Sequence, residues 1–271
     1  MKDIAGASKE TKDIIRNNIA LAEKEGRYND DVQPVDWEGM QKVTADFVYL
    51  PKNPVKVIWS FIARFLAMSA ARLLCFIGMG SGRIIGRENF KGLKAAVVTC
   101  NHVHIFDSFF VRAATFGHKL YITVAEFNNM KGPLGILLRG AGCIPFSDCF
   151  SAMKNLSHTT ATLLKKNRFV LFYPEKAMWP RYEKPRPFIE GAFHTAAINN
   201  VPVVPTFIVF KEPSDFRKKF SDKKVGELHV LPPIYPKPEL GRKENTLYLK
   251  DATFKAVCNL YKECFGEEPY K

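Results

Sequence analysis

Several familiar patterns are missing from this 271-residue sequence. None of the six cysteines has CxxC spacing or stands in a Cys/His run suited to zinc, which argues against a zinc-binding protein. The GxSxG elbow of many serine hydrolases is absent, which argues against that class of enzyme. The glycines at 78–82 lack GxGxxG spacing and follow no predicted strand, so they do not indicate a dinucleotide-binding loop.

Acidic residues are in the minority, since 40 Lys and Arg face 27 Asp and Glu and the net charge is +13. Residues 1–50 hold ten acidic and seven basic residues, so residues 51–271 carry a net charge of +16. Such a basic body favours an anionic partner: nucleic acid, an anionic membrane or a phosphorylated substrate. The basic runs at 217–219 and 223–224 are interleaved with aspartates, and no nucleic-acid module is recognisable, so a solvated loop is the better interpretation.

A long uncharged apolar run is also missing. Arg64 and Arg72 divide residues 57–79 into three uncharged blocks of seven, short of the roughly 18 expected of a spanning helix. Together with Lys56 these cations recur every eight residues, which leaves a broad apolar arc on a helix. The arc carries Trp59, Phe61, Phe65 and Phe76. This pattern favours a helix in the membrane interface with its cations among headgroups, the alternative being a core helix whose arginines extend to solvent.

Strand and helix patterns alternate over most of the chain. The β-rich runs are 95–100, 120–125, 168–174, 201–210 and 227–231. The helical patterns are 8–26, 107–116, 151–166, 188–199 and 246–264. This alternation predicts an α/β fold with a layered, largely parallel sheet flanked by helices, preceded by an apolar helical membrane-docking segment. The predicted divisions are a helical arm and linker at 1–54, an interfacial helix at 55–82 and the α/β domain at 83–271.

Polar side chains follow the first predicted strand of this domain. His102 falls in the turn after residues 95–100, and Asp107 is expected at the N-cap of the next helix. The turn can fold the imidazole back onto the carboxylate, which would fix its tautomer and stabilise the imidazolium, as in a general base. The alternative is that Asp107 only caps the helix and His102 only lies in a loop.

Two further strand ends are unusual. The run Tyr173-Pro174-Glu175-Lys176 places a charged pair at the same edge of the sheet as His102, although it could be an ordinary solvated loop. The segment 201–206 enters its strand through prolines, as an edge or entry strand also would.

Taken together, these blocks resemble the glycerolipid acyltransferase family, which includes the bacterial 1-acylglycerol-3-phosphate acyltransferases, over roughly residues 80–210. Asn101-His102 with Asp107 matches the family's NHxxxxD block, and residues 132–145 look like its second block. Residues 173–175 correspond to the Phe-Pro-Glu-Gly block, and residues 187–193 and 201–205 follow in the family's order.

The resemblance implies that His102 is a general base, oriented by Asp107, in transfer of a fatty acyl group from an acyl thioester to a lysophospholipid hydroxyl. The implied partners are membrane lipids, the lysophospholipid, and acyl-CoA or acyl carrier protein, with no cofactor. The implied place is the cytoplasmic face of a membrane, held peripherally; the charged start and cysteines within apolar stretches also favour the cytoplasm. The substrate-binding candidates are Asn101, Arg139, Tyr173, Pro174, Glu175, Lys176 and Arg186.

The sequence also departs from the family's pattern where acceptor recognition is expected. The second block usually ends in an arginine, but residues 144–148 here read IPFSD; the third usually continues Gly-Thr-Arg, but residues 176–178 here read KAM. The missing cation could be supplied by Lys176, Arg139, Arg181 or Arg186. Two alternatives follow: an acyltransferase for a different lipid acceptor, or a catalytically diverged membrane-surface or scaffold protein.

Overall fold

One seven-stranded sheet organises the computed structural model, which describes residues 9–34, 39–115, 117–219 and 221–270. In chain order the elements are α1 (Lys9–Lys24), α2 (Pro54–Met79), β1 (Ile84–Ile85), β2 (Ala96–Thr99), α3 (Asp107–Ala114), β3 (Leu120–Val124), α4 (Gly132–Ala141), β4 (Cys143–Pro145), α5 (Phe150–Lys165), β5 (Phe169–Phe172), α6 (Gly191–Asn199), β6 (Val203–Lys211), α7 (Asp215–Lys218), β7 (Val225–Val230) and α8 (Arg242–Phe265).

The strand order is β1-β7-β6-β2-β5-β3-β4, and every neighbouring pair is parallel except β6 with β7. The central strands β2 and β5 are buried along their whole length. Strands covered on both faces read as continuous apolar runs rather than alternating ones, which explains the patterns at 95–100 and 168–174. The predicted α/β class and its largely parallel sheet are confirmed.

Helices cover both faces of the sheet. One apolar core joins the strands to buried residues of α2 and α3, among them Cys75, Met79 and Phe110. The other joins them to α5, α6 and α8 through residues such as Leu163, Phe193 and Leu249. The carboxyl ends of the parallel strands therefore form one edge of a three-layer domain, which is where ligands usually bind in this architecture.

Helix α2 begins with Asn53 as its N-cap, whose side chain accepts a hydrogen bond from the Val55 N–H (2.8 Å), and ends at Gly80 (φ 70°). Within the described ranges it is the one helix long and apolar enough to cross a membrane, with a mean hydropathy of 1.7 over its most apolar 18-residue stretch. Only 17% of that stretch is buried inside the protein. Its apolar face is therefore largely uncovered by the rest of the chain.

Two side chains of α2 differ from their predicted placement. Arg64 was expected among lipid headgroups, but it points inward, donates to the Leu120 carbonyl (2.7 Å) and lies over the Tyr121 ring (4.0 Å). Trp59 was expected on the exposed arc, but its indole donates to the Ile136 carbonyl (3.2 Å). Both contacts arise because α4 and β3 pack against α2, which the sequence pattern does not reveal.

The N-terminal arm packs on the loop that follows β5. Ile15, Ala22 and Val32 share an apolar cluster with Ala177 and Trp179. Asn29 and Gln33 also donate from the arm to backbone carbonyls of that loop. The arm therefore covers one side of the loop that carries the third sequence block.

Candidate active site

His102 and Asp107 meet directly at the carboxyl edge of the sheet. The turn after β2 brings His102 Nδ1 to 2.9 Å from Asp107 Oδ2. Because an ionised carboxylate can only accept, Nδ1 carries the proton of this hydrogen bond and Nε2 keeps a lone pair. The imidazole is 25% exposed, whereas the carboxylate is fully buried. The arrangement is that of a base whose tautomer is set by a buried acid.

The carboxylate of Asp107 is fixed by its own backbone. Helix α3 begins at Asp107, and Phe106 is the N-cap, so the expected N-cap position of Asp107 is wrong by one residue. The reason is that Asp107 Oδ2 accepts from the N–H groups of Val103 (2.8 Å) and His104 (3.0 Å), which precede the helix. Three donors thus converge on one oxygen and hold it beneath the imidazole.

The ring of Tyr173 stacks on the imidazole of His102, with centroids 4.0 Å apart and planes 20° from parallel. Burial raises the pKa of Tyr173 well above its usual value, and the nearby charge of Asp107 adds to this. The phenol is therefore neutral at ordinary pH. Tyr173 was predicted to bind substrate; in the structure its ring packs on the imidazole and limits the rotation of that ring.

Glu175 and Arg186 form a buried ion pair behind the histidine. Glu175 Oε2 accepts from Arg186 Nη2 (2.8 Å) and from the backbone N–H of His102 (3.3 Å). The two side chains are 1% and 0% exposed. Arg186 also donates to the carbonyls of Ala177 (2.6 Å) and Tyr28 (2.8 Å). The pair therefore supports the His102 turn from inside the protein.

This burial corrects the prediction that Arg186 binds substrate. Its guanidinium lies over the Trp179 ring (4.6 Å) and has no exposed surface that could meet an acceptor phosphate. Glu175 is likewise enclosed, so its contact with the site runs through the His102 N–H.

The other predicted side chains are placed as follows. Asn101 is buried and exchanges hydrogen bonds with Ile208 N–H (2.7 Å) and C=O (3.0 Å), which joins the end of β2 to β6. Pro174 is buried. Arg139 of α4 donates to Oδ1 of Asn129, which precedes that helix (2.9 Å). These three contacts hold the framework of the site. Lys176 is exposed directly after Glu175, with φ 69°.

Trp179, which sequence reasoning did not single out, also shapes the turn, together with Arg181 and Gly78. The N–H of Trp179 donates to the His102 carbonyl (2.9 Å), and that of Arg181 donates to the Val103 carbonyl (2.9 Å). Gly78 of α2 lies against Phe106, where an added Cβ would stand 2.1 Å from Cδ2 of the ring. A glycine within a helix costs stability, and at Gly78 this cost accompanies the close packing of α2 on Phe106.

No group of three or more His, Cys, Asp or Glu side chains suited to a metal occurs in the described part of the chain.

Comparisons with known proteins relate the domain and its fold to acyltransferases. A model of the family described as Acyltransferase matches residues 82–209, which span β1 to most of β6. A search of curated proteins finds no match. Among solved structures, the 1-acyl-sn-glycerophosphate (LPA) acyltransferase PlsC from Thermotoga maritima is similar, with a TM-score of 0.52 and 16% identity, over 78% of this chain and 84% of that chain. The chain thus carries a domain that matches the Acyltransferase family at residues 82–209, on a fold similar to that of PlsC.

Proposed function

We propose that this protein transfers a fatty acyl group from an acyl thioester to the hydroxyl of a lysophospholipid such as 1-acylglycerol-3-phosphate. The observation that carries the proposal is the 2.9 Å contact of His102 Nδ1 with the buried Asp107 carboxylate, on an imidazole that remains partly exposed. The match of residues 82–209 to the Acyltransferase family model supports the reaction class. The donor is an acyl group on coenzyme A or on acyl carrier protein.

In the proposed mechanism, Nε2 of His102 takes the proton of the acceptor hydroxyl as its oxygen attacks the thioester carbon. The tetrahedral intermediate collapses with cleavage of the carbon–sulfur bond, and the imidazolium returns the proton to the leaving thiolate. The products are an ester and a free thiol. Asp107 stabilises the imidazolium between these two proton transfers. The acceptor is itself the nucleophile, so no covalent acyl-enzyme is needed.

The exposed side of α2 supports a place at the membrane surface. Phe61, Phe65 and Phe76 are 69%, 64% and 56% exposed. Moving such rings from water into the bilayer interface would gain a large transfer free energy. Gly78 brings this same helix against the turn that carries His102. The proposal is that α2 lies in the bilayer interface and presents the site to lipid acceptors on the cytoplasmic side.

Lys176 is the proposed cation for the acceptor phosphate. Of the four candidates, Arg186 is buried. Arg139 donates to the side chain of Asn129, and Arg181 donates to the Lys224 carbonyl (2.6 Å). Lys176 is exposed and adjoins Glu175, which contacts the His102 backbone. A lysine binds phosphate as a flexible point charge, in place of the family's fork-shaped arginine.

The role of Lys176 is tested by the variant Lys176→Ala. We expect the KM for the lysophospholipid to rise about tenfold, the loss of one charge-assisted hydrogen bond, with the donor KM unchanged. Lys255→Ala, an exposed lysine on α8, is the matched control. An acceptor KM that does not change would show that another group binds the phosphate.

The mechanism is tested by comparing His102→Ala with His104→Ala. His102 contacts Asp107 through a ring nitrogen, whereas His104 contacts it through its backbone N–H. His102→Ala should therefore abolish acyl transfer, while His104→Ala should reduce it mildly. Circular dichroism establishes that both variants are folded. Turnover retained by His102→Ala would end the general-base assignment. A wild-type protein inactive with every acceptor would favour the diverged scaffold.

A further inference from the structure

Residues 212–219 and 221–224, here called the β6–β7 loop, lie at the same edge of the sheet as His102. The loop follows the carboxyl end of β6, which runs parallel to β2. Arg181 connects the loop to the site, since its guanidinium donates to the Lys224 carbonyl (2.6 Å) and its backbone N–H donates to the Val103 carbonyl (2.9 Å). The loop is thus next to the catalytic turn and not a remote hairpin.

The same loop contacts the C-terminal end of α2. The guanidinium of Arg217 lies over the Phe76 ring, 4.9 Å from its centroid. Side chains also pack against the end of α2, because a Cβ added at Gly80 would stand 3.2 Å from Val225 Cγ1 and 3.5 Å from Arg217 Nη1. Leu73 and Ile77 of α2 are 60% and 67% exposed beside this contact. The loop therefore extends the uncovered apolar face of α2.

An aromatic ring and several cations project from the loop. Phe216, on the short helix α7, is 70% exposed. Lys218, Lys219 and Lys223 are exposed as well. Asp215 forms an ion pair with Lys218 (3.4 Å). Among the described residues, no carboxylate lies within ion-pair distance of Lys219 or Lys223. Rings with lysines around them are typical of segments that meet anionic bilayers.

We propose that the β6–β7 loop is a second membrane contact, in which Phe216 enters the interface and Lys219 and Lys223 bind anionic headgroups. The inference rests on the proposed docking of α2. A single helix can rotate about its axis on a surface, whereas two contacts fix the orientation of the domain and turn the carboxyl edge of β2 toward the lipid. An anionic bilayer is favoured over an acidic carrier protein because the loop contacts the exposed apolar face of α2, through Arg217 and Phe76.

The test uses the full chain and vesicles of phosphatidylcholine with or without phosphatidylglycerol. The variant Phe216→Ala/Lys219→Gln/Lys223→Gln should bind the anionic vesicles about tenfold or more weakly than the wild type, because it removes two cations and a ring. The control Lys165→Gln/Lys166→Gln removes two exposed cations from the end of α5, at the opposite edge of the sheet, and should bind as the wild type does. Activity on detergent-dispersed substrates should be unchanged in both variants.

Two results would overturn the inference. Unchanged vesicle binding by the triple variant would show that α2 alone holds the membrane. A loss of activity limited to acyl carrier protein as donor, again with unchanged vesicle binding, would assign the loop to a protein partner. Failure of the proposed function is separable, because it would appear as wild-type protein that binds no vesicles or transfers no acyl group.

Discussion

The carboxylate of Asp107 decides which nitrogen of His102 can act as a base. It occupies Nδ1, is itself fully buried, and is held by two backbone N–H donors. Its charge matters most when the imidazole is protonated, which in the proposed mechanism occurs only after the acceptor is bound. The contribution of Asp107 should therefore fall on turnover.

The variant Asp107→Asn tests this assignment. An amide at this position cannot offset the charge of the imidazolium, so we expect kcat to fall by roughly 10³-fold or more, while the acceptor KM changes little. Steady-state kinetics against both substrates measures the two effects. Asp251→Asn, on an exposed position of α8, is the control. An effect confined to the acceptor KM would instead make Asp107 a binding residue.

The burial of Arg186 could not be predicted from the sequence. It lies in the stretch RYEKPRP at 181–187, which reads as solvated, yet the side chain is fully buried on Glu175. His102 and Asp107 were identifiable because polar residues follow an apolar strand. The burial of an arginine depends on contacts with Tyr28 and Ala177, which are distant in sequence or hidden in loop geometry.

The variant Arg186→Met separates support from substrate binding. Removing one partner leaves the Glu175 carboxylate buried without its counter-ion, so we expect the free energy of unfolding to fall by about 3–5 kcal/mol. Glu175→Gln/Arg186→Met should recover part of this loss, since it removes the orphaned charge. Urea unfolding gives both values. If stability is kept and the acceptor KM rises, Arg186 reaches substrate and the buried pair is misassigned.

At the scale of elements, α2 combines an exposed apolar face with a packed one. Gly140 lets α4 approach Trp59 and Ala63, where an added Cβ would stand 2.8 Å and 3.0 Å from their atoms. Gly78 does the same for the His102 turn through Phe106. The helix is thus joined to the site and is not a separate anchor.

Gly78→Ala tests this close packing. In a free helix this change would stabilise by about 1 kcal/mol, but here the new Cβ collides with Phe106, so we expect roughly 1–3 kcal/mol of destabilisation and a lower kcat. Gly191→Ala, at the start of α6 with nothing within 4 Å of its added Cβ, should be neutral or stabilising. Thermal unfolding compares the two. Equal stabilisation by both changes would contradict the packing at Gly78.

The elements found from the sequence were those with long patterns. The strand runs at 95–100, 120–125 and 168–174 were clear because parallel strands buried on both faces are continuously apolar. Strands β1 and β4 have only two and three residues, too few for any periodicity. Helix α4 begins Gly-Pro-Leu-Gly, a sequence typical of turns, and is stabilised by its packing on α2.

At the scale of the whole molecule, the basic charge and the exposed face of α2 act together. Residues 51–271 carry a net charge of +16, and α2 lies within them. An anionic bilayer would meet both the charge and the apolar face, whereas nucleic acid would meet only the charge. The overall charge could be predicted from the sequence. Which elements lie at the edge of the sheet that carries His102 could be known only from the fold.

Phe61→Glu/Phe65→Glu tests docking by α2. Two exposed rings are lost and two charges are added, so vesicle binding should weaken by at least about a hundredfold. Activity on detergent-dispersed substrates should remain, because neither ring contacts the His102 turn. Sedimentation with vesicles gives the binding. Binding equal to that of the wild type would place the membrane contact elsewhere.

Acyl transfer to a lysophospholipid by His102 can be measured by mass spectrometry of the lipids formed from an acyl thioester and a panel of lysophospholipids. We predict a diacyl product from at least one phosphate-bearing acceptor with the wild type and His104→Ala, and none with His102→Ala. Product formation by His102→Ala, or a wild type that acylates no lipid in the panel, would contradict the account.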